Sequence, residues 1–191
     1  TSARLDPDVF ESTEVGMKVA LPNNMSLTAA YFDSEQVRAE RDNDTGETSE
    51  VRGLTVDGFE IELKGRVNDG LNLAIAYSDL SGETSSGGIP REIPEHTLSA
   101  FAAWEVNEKL SVALGLTQQG ESKIKDNTPG LVLPEYTRVD LSAYYQVAPN
   151  LSVQMNVENL MDELYFPHSH STHQASVGES VNSRVSLRWT Y

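Results

Sequence analysis

Four times in this chain a short polar turn is followed at once by a run in which apolar and polar residues strictly alternate. In one copy Ala148-Pro149-Asn150 leads into Leu151, Val153, Met155 and Val157 on one face of a strand, with Ser152, Gln154, Asn156 and Glu158 on the other. Pro22-Asn23-Asn24 leads into Met25, Leu27, Ala29 and Tyr31, and Asn68-Asp69-Gly70 into Leu71, Leu73, Ile75 and Tyr77. Asn107-Glu108-Lys109 leads into Leu110, Val112, Leu114 and Leu116. The copies recur roughly every 40 residues, a spacing within the range of repeat architectures.

The alternation predicts nine strands in up-and-down order, over residues 11–21, 25–33, 51–67, 71–80, 96–106, 110–119, 136–147, 151–158 and 182–191. Gly53, Gly58 and Gly65 are expected to mark bends or bulges in the third. The connections alternate as well. The four turns above are short, whereas 35–50, 81–94, 120–134 and 159–181 are long and polar, the first charged and glycine-containing and the second rich in Gly, Ser and Pro. Short turns at one end and long loops at the other are the pattern of an outer membrane barrel. Runs of this length suit the ~9–11 residues that carry a tilted strand across a bilayer. Tyr31, Tyr77, Trp104, Tyr145, Trp189 and Tyr191 lie near strand ends, where interfacial girdles belong. The expected fold is therefore all-β, an antiparallel transmembrane β-barrel segment, with Leu151, Val153, Met155 and Val157 facing lipid. A soluble β-sandwich also alternates. A β-propeller has a similar repeat but needs four short strands per blade.

Composition narrows the partners. The formal charge of −15 argues against nucleic acid. Solvated acidic loops account for it, with divalent-cation binding or adaptation to salt as alternatives. There is no cysteine, hence no disulfide and no thiolate chemistry. No apolar run approaches the ~20 residues of a membrane helix. The mean hydropathy of −0.39 is compatible with barrel strands, whose polar face offsets the apolar one. Single-chain barrels of bacteria carry even strand numbers, so an odd count predicts further strands before Thr1. No nucleophile elbow, P-loop or zinc-protease motif is present, and no enzyme is expected.

From Leu5-Asp6-Pro7-Asp8 onward the chain resembles the C-terminal barrel portion of TonB-dependent siderophore receptors. Glu14-Val15-Gly16-Met17-Lys18, Val51-Arg52-Gly53 with Gly58-Phe59-Glu60, and Pro94-Glu95-His96 look like successive strand motifs of that family. Pro134-Glu135-Tyr136-Thr137-Arg138-Val139-Asp140 is similar to its "P-x-Y-x-x-V-D" strand. Asn156-Val157-Glu158-Asn159-Leu160-Met161-Asp162-Glu163-Leu164-Tyr165 matches "N-x-x-N-L-x-D-x-x-Y", the most specific of these motifs. Gly178 through Arg184 resembles "G-x-P-R" with Arg184 displaced, and Phe166-Pro167-His168-Ser169-His170 looks most like the subgroup taking ferric catecholates.

The resemblance implies a 22-stranded barrel of which residues 1–191 supply the last nine strands, with the plug domain and TonB box outside this chain. It implies an outer membrane location, a ferric siderophore as ligand, a TonB partner that acts through the plug, and no cofactor beyond the iron of the ligand. The alternatives are a small complete barrel, adhesin- or porin-like, and a soluble carbohydrate-binding sandwich.

Candidate ligand-binding residues are Arg91, Tyr165, His168, His170 and His173. His168 and His170 share a face of an extended segment, and imidazole suits Zn, Cu or Ni. A metal site needs three or four ligands, so contact with ligand or neighbouring loops, or simple solvation, stand beside it. Arg91 is placed to attract an anionic chelate through charge-assisted hydrogen bonds, or is an ordinary solvated arginine. Arg52, Arg66, Arg138, Arg184 and Arg188 either line a lumen beside Glu60, Glu62 and Asp140 or, as expected here, form structural ion-pair ladders. Trp189 and Tyr191 form an aromatic terminus that resembles a barrel-assembly signal and also suits interfacial anchoring.

Overall fold

A computed structural model describes residues 9–41, 48–125 and 130–191. The strands are β1 (Val9–Leu21), β2 (Met25–Arg41), β3 (Thr48–Asn68), β4 (Leu71–Thr84), β5 (His96–Glu105), β6 (Leu110–Gln119), β7 (Ser122–Lys123), β8 (Val132–Leu133), β9 (Tyr136–Ala148), β10 (Leu151–Glu158), β11 (His168–Ser171), β12 (Gln174–Ser176) and β13 (Asn182–Trp189). Nine of them form one antiparallel sheet in the order β1-β2-β3-β4-β5-β6-β9-β10-β13. These are the nine expected strands. The two small hairpins, β7-β8 and β11-β12, lie within long loops where no strand was expected.

The short turns explain why the sheet folds back where it does. In the first, Asn23 and Asn24 both take positive φ (59° and 56°), and the Met25 N–H donates to the Pro22 carbonyl at 3.2 Å. That is the type I′ geometry whose twist matches a hairpin. In the next two turns an asparagine side chain closes the loop. Asn68 Oδ1 accepts from the N–H groups of Gly70 and Leu71 at 2.9 and 3.0 Å. Asn107 Oδ1 accepts from Lys109 and Leu110 at 2.9 and 3.1 Å. Asparagine recurs at these turns because its short amide mimics a backbone acceptor.

The cross-strand register joins the apolar faces into one band. Leu151, Val153 and Met155 stand opposite Trp189, Leu187 and Val185 on one side, and Val153 and Met155 opposite Tyr145 and Ala143 on the other. The band continues through Leu110–Tyr145, Leu114–Leu141, Trp104–Val112, Leu73–Ala102, Ile61–Tyr77 and Tyr31–Phe59. Nothing in the described residues covers it. Leu187 is 72% exposed, Val15 70% and Met155 44%, whereas Leu133, Tyr136, Val157 and Tyr165 are the large apolar residues buried among the described ones. A sandwich would bury this face under a second sheet. A lone sheet with an uncovered apolar face requires lipid instead. Val157, expected to face lipid, is buried at the loop end of β10. The opposite face carries Thr28, Glu60, Glu62, Ser78, Thr97 and Ser99 around a shallow hollow.

Three expectations change in detail. The first long loop is mostly strand: β2 continues to Arg41 and β3 begins at Thr48, so that Arg41 pairs with Thr48. Residues 42–47, within that loop, and the side chain of Arg52 lie outside what the structure describes. Gly53 is the extra residue at the register break between Gln36/Leu54 and Val37/Arg52, and Gly65 (φ 143°) lies next to the break between Arg66 and Asn68. Gly58 pairs regularly with Phe32 and Leu80 and marks no bulge. Two ion pairs join residues two apart on one strand instead of crossing between strands: Lys64 meets Glu62 at 2.6 Å, and Arg138 meets Asp140 at 2.7 Å.

Candidate functional site

The long connections gather at the end of the sheet opposite the asparagine turns. The connection after β10 is anchored by a buried knot. Asn159 is 1% exposed and has φ 51°, a left-handed conformation that asparagine tolerates better than most residues. Its backbone N–H donates to Asp140 Oδ1 at 2.9 Å. Its Nδ2 donates to the carbonyls of Glu163 and Glu179 at 2.9 and 3.0 Å, while its Oδ1 accepts from the Glu163 N–H at 2.9 Å. One side chain thus ties both ends of the loop together. Asp162, also at positive φ (53°), accepts from the Val181 N–H at 2.9 Å.

Tyr165 completes the knot. It is 7% exposed, with its ring 4.8 Å from that of Tyr136. Arg138 donates from Nη1 to the Tyr165 hydroxyl at 3.2 Å and, from Nε and Nη2, to Asp140 Oδ2 at 3.1 and 2.7 Å. Gly178 lies against the ring: a Cβ there would fall 2.2 Å from Tyr165 Cζ. The Gly178 N–H donates to the Tyr165 carbonyl at 2.8 Å. The residues of the "N-x-x-N-L-x-D-x-x-Y" motif are therefore a hydrogen-bonding device that closes a loop. Tyr165 supports that loop from beneath.

The remaining candidates lie on the loops themselves. His168 and His170 are both exposed in β11, whose register shifts between Ser169 and Ser171, and between them Ser169 is 7% exposed. His168 Nε2 is 2.8 Å from Ser176 Oγ across the small hairpin. His173 is exposed near the hairpin tip. Arg91 is exposed in the connection between β4 and β5 and bridges Lys123 through its backbone. Among the described residues no three His, Asp or Glu side chains are grouped to hold a metal ion. At the other end of the sheet Trp189 pairs with Leu151 and is 61% exposed, and Tyr191 is fully exposed.

One residue that the sequence did not single out connects these parts. Glu92 takes φ 58°, donates its N–H to the Lys123 carbonyl at 2.8 Å, and accepts at Oε1 from the Ser169 N–H (2.9 Å) and Oγ (3.3 Å). The Glu95 N–H donates to the Glu121 carbonyl at 3.2 Å. Three loops that are distant in sequence are thereby joined, and Arg91 and the histidine pair flank the junction. No sequence signal reveals a contact across 77 residues.

Comparison with known proteins gives this arrangement its relatives. A family model for the TonB dependent receptor-like β-barrel matches residues 2–160. The chain is 26% identical to a probable TonB-dependent siderophore receptor, PiuA, of Acinetobacter baumannii, over 98% of the chain and 28% of that protein. It is 26% identical to the catecholate siderophore receptor Fiu of Escherichia coli, over 83% of the chain and 22% of that protein. The solved structure of the outer membrane ferripyoverdine receptor of Pseudomonas aeruginosa, with ferripyoverdine bound, superposes with a TM-score of 0.82 at 27% identity. That match covers 97% of this chain and 27% of the receptor. The chain thus spans little more than a quarter of the length of PiuA. It belongs to the TonB-dependent receptor-like β-barrel family and is a segment of an outer membrane barrel.

Proposed function

We propose that residues 1–191 are the C-terminal part of the barrel of a receptor for TonB-dependent uptake of a ferric siderophore. The connections 81–95, 120–135 and 159–181 form part of the extracellular mouth where the chelate docks. The observation that carries this reading is the likeness, over nearly the whole chain, to a receptor solved with ferripyoverdine bound. The hydrogen-bonded junction of three loops at the end opposite the tight turns supports it. Arg91, His168 and His170, exposed around that junction, supply a cation and two imidazoles for an oxygen-rich chelate. Energy reaches the receptor from TonB through the plug, in another part of the protein. The chain's role is to bind and admit cargo, not to catalyse a reaction.

The test is uptake of radioactive iron by cells whose only siderophore receptor is the full-length protein. Iron is offered as a tris-catecholate, as a tris-hydroxamate and as a pyoverdine complex. Accumulation of at least one chelate that vanishes when TonB is deleted is expected. Uptake indifferent to TonB, or no uptake of any ferric chelate by receptor shown to be in the outer membrane, contradicts the reading.

A further inference from the structure

We infer that Glu92 is a positioning residue that holds the histidine-bearing hairpin β11-β12 in place as part of a preformed loop surface. The inference rests on the reading of these loops as the ligand mouth. The hairpin has four residues on one strand and three on the other. A two-stranded ribbon of that size does not hold its shape in water unaided. Its register is also interrupted between Ser169 and Ser171. Something outside the hairpin must therefore fix it.

Ser169 shows what does. It stands opposite Ala175 within the hairpin, yet its N–H is donated outward, to Glu92 Oε1 at 2.9 Å, and its hydroxyl goes to the same oxygen at 3.3 Å. One carboxylate occupies the free edge of β11 and accepts from both donors, N–H and O–H, of a residue that is 7% exposed. With Ser169 pinned at that edge, its chain neighbours His168 and His170 are held beside the junction, where both are exposed. Glu92 is itself held. Its N–H bond to the Lys123 carbonyl (2.8 Å) and the backbone bridge from Arg91 to Lys123 keep it at φ 58°, a conformation uncommon for a residue with a long side chain. The side chain therefore starts from a fixed backbone and ends on a buried donor. Arg91 sits one residue away, so the same clamp sets the cation and the imidazoles relative to each other. Preordering a binding surface lowers the cost of ordering it when ligand arrives.

The experiment uses full-length receptor in outer membrane vesicles, as wild type, Glu92→Ala and Glu92→Gln. Hydrogen exchange is read by mass spectrometry in peptides covering 166–177. The alanine variant is expected to speed exchange there by about tenfold, the worth of a lost charge-assisted bond to a buried donor. Exchange in 25–33 should stay unchanged. Glutamine, which keeps an acceptor oxygen at the same reach, is expected to restore most of the protection. Half-saturating concentrations for cellular uptake are then measured for whichever of the three ferric chelates the wild type transports. Glu92→Ala should raise that concentration several-fold with little change in maximal rate, and Glu92→Gln should recover most of it. Unchanged exchange in the alanine variant overturns the inference. So does faster exchange with an unchanged half-saturating concentration, because the clamp would then position nothing that ligand uses. Failure of the wild type to transport any chelate refutes the ligand-mouth role, while exchange still decides whether the clamp exists.

Discussion

The two ends of the sheet build their loop sides by different means. At the β1–β4 end the ladder simply continues. β2 and β3 have 17 and 21 residues, well beyond the ~9–11 that a tilted strand needs to cross a bilayer, and remain paired out to Arg41–Thr48. At the β9–β13 end, β10 and β13 have eight residues each, and the chain between them is folded back by Asn159, Asp162, Tyr165 and Gly178. The first solution relies on backbone hydrogen bonds, which nearly every residue type can make. The second relies on particular side chains in buried positions and left-handed conformations. The lesson concerns tolerance: equal lengths of connecting chain differ in how much a single substitution damages them.

The largest effect is expected at Asn159. Asn159→Ala removes three side-chain hydrogen bonds from a residue that is 1% exposed. It also places alanine at φ 51°. Amides of 159–181 should lose about 3 kcal/mol of protection against local opening, measured by hydrogen exchange on the full-length receptor. A loss no larger than that of an average surface mutation would break the contrast. Gly178→Ala comes next. Its Cβ would meet the Tyr165 ring at 2.2 Å, and overpacking of this kind costs about 2 kcal/mol. A Gly178→Ala,Tyr165→Leu double variant should recover part of the loss, which sharpens the assignment to that contact. The smallest effect belongs to the other end. Ser34→Ala removes an exposed cross-strand contact to Ser12 at 2.8 Å and should change protection of 9–37 by less than about 0.5 kcal/mol.

The same contrast explains what could be read from the sequence. The nine long strands were legible because half-buried strands alternate with a period of two, as Leu151 to Glu158 do. Residues 35–41 were not recognised as strand because charges occupy both faces, as in Glu35, Arg38 and Glu40, so no apolar stripe marks them. Backbone pairing to β1 and β3 makes them strand regardless. The Asn159 to Tyr165 motif was visible as a family mark, but its physical role was not. Asn159 acts on Glu163 and Glu179, and the latter partner is 20 residues away. Tyr165, read as a ligand candidate, is enclosed by Tyr136, Arg138 and Gly178, which converge only in three dimensions. Glu92 lay beside Arg91 in a run with no pattern at all, and its partner Ser169 is 77 residues on.

The central claim is that one face of this sheet meets lipid and the other does not. Cysteine is absent from residues 1–191, so single cysteines introduced here, in a receptor with any cysteine elsewhere replaced by serine, can be spin-labelled one at a time. The positions are Ser152, Val153, Gln154 and Met155 on β10 and Val185, Ser186, Leu187 and Arg188 on β13. In full-length receptor in lipid vesicles, collision with oxygen, which concentrates in the bilayer, should be high at 153, 155, 185 and 187. It should be low at 152, 154, 186 and 188. A period of two with that phase is the predicted result. Uniform accessibility along either strand, or the opposite phase, would contradict the account.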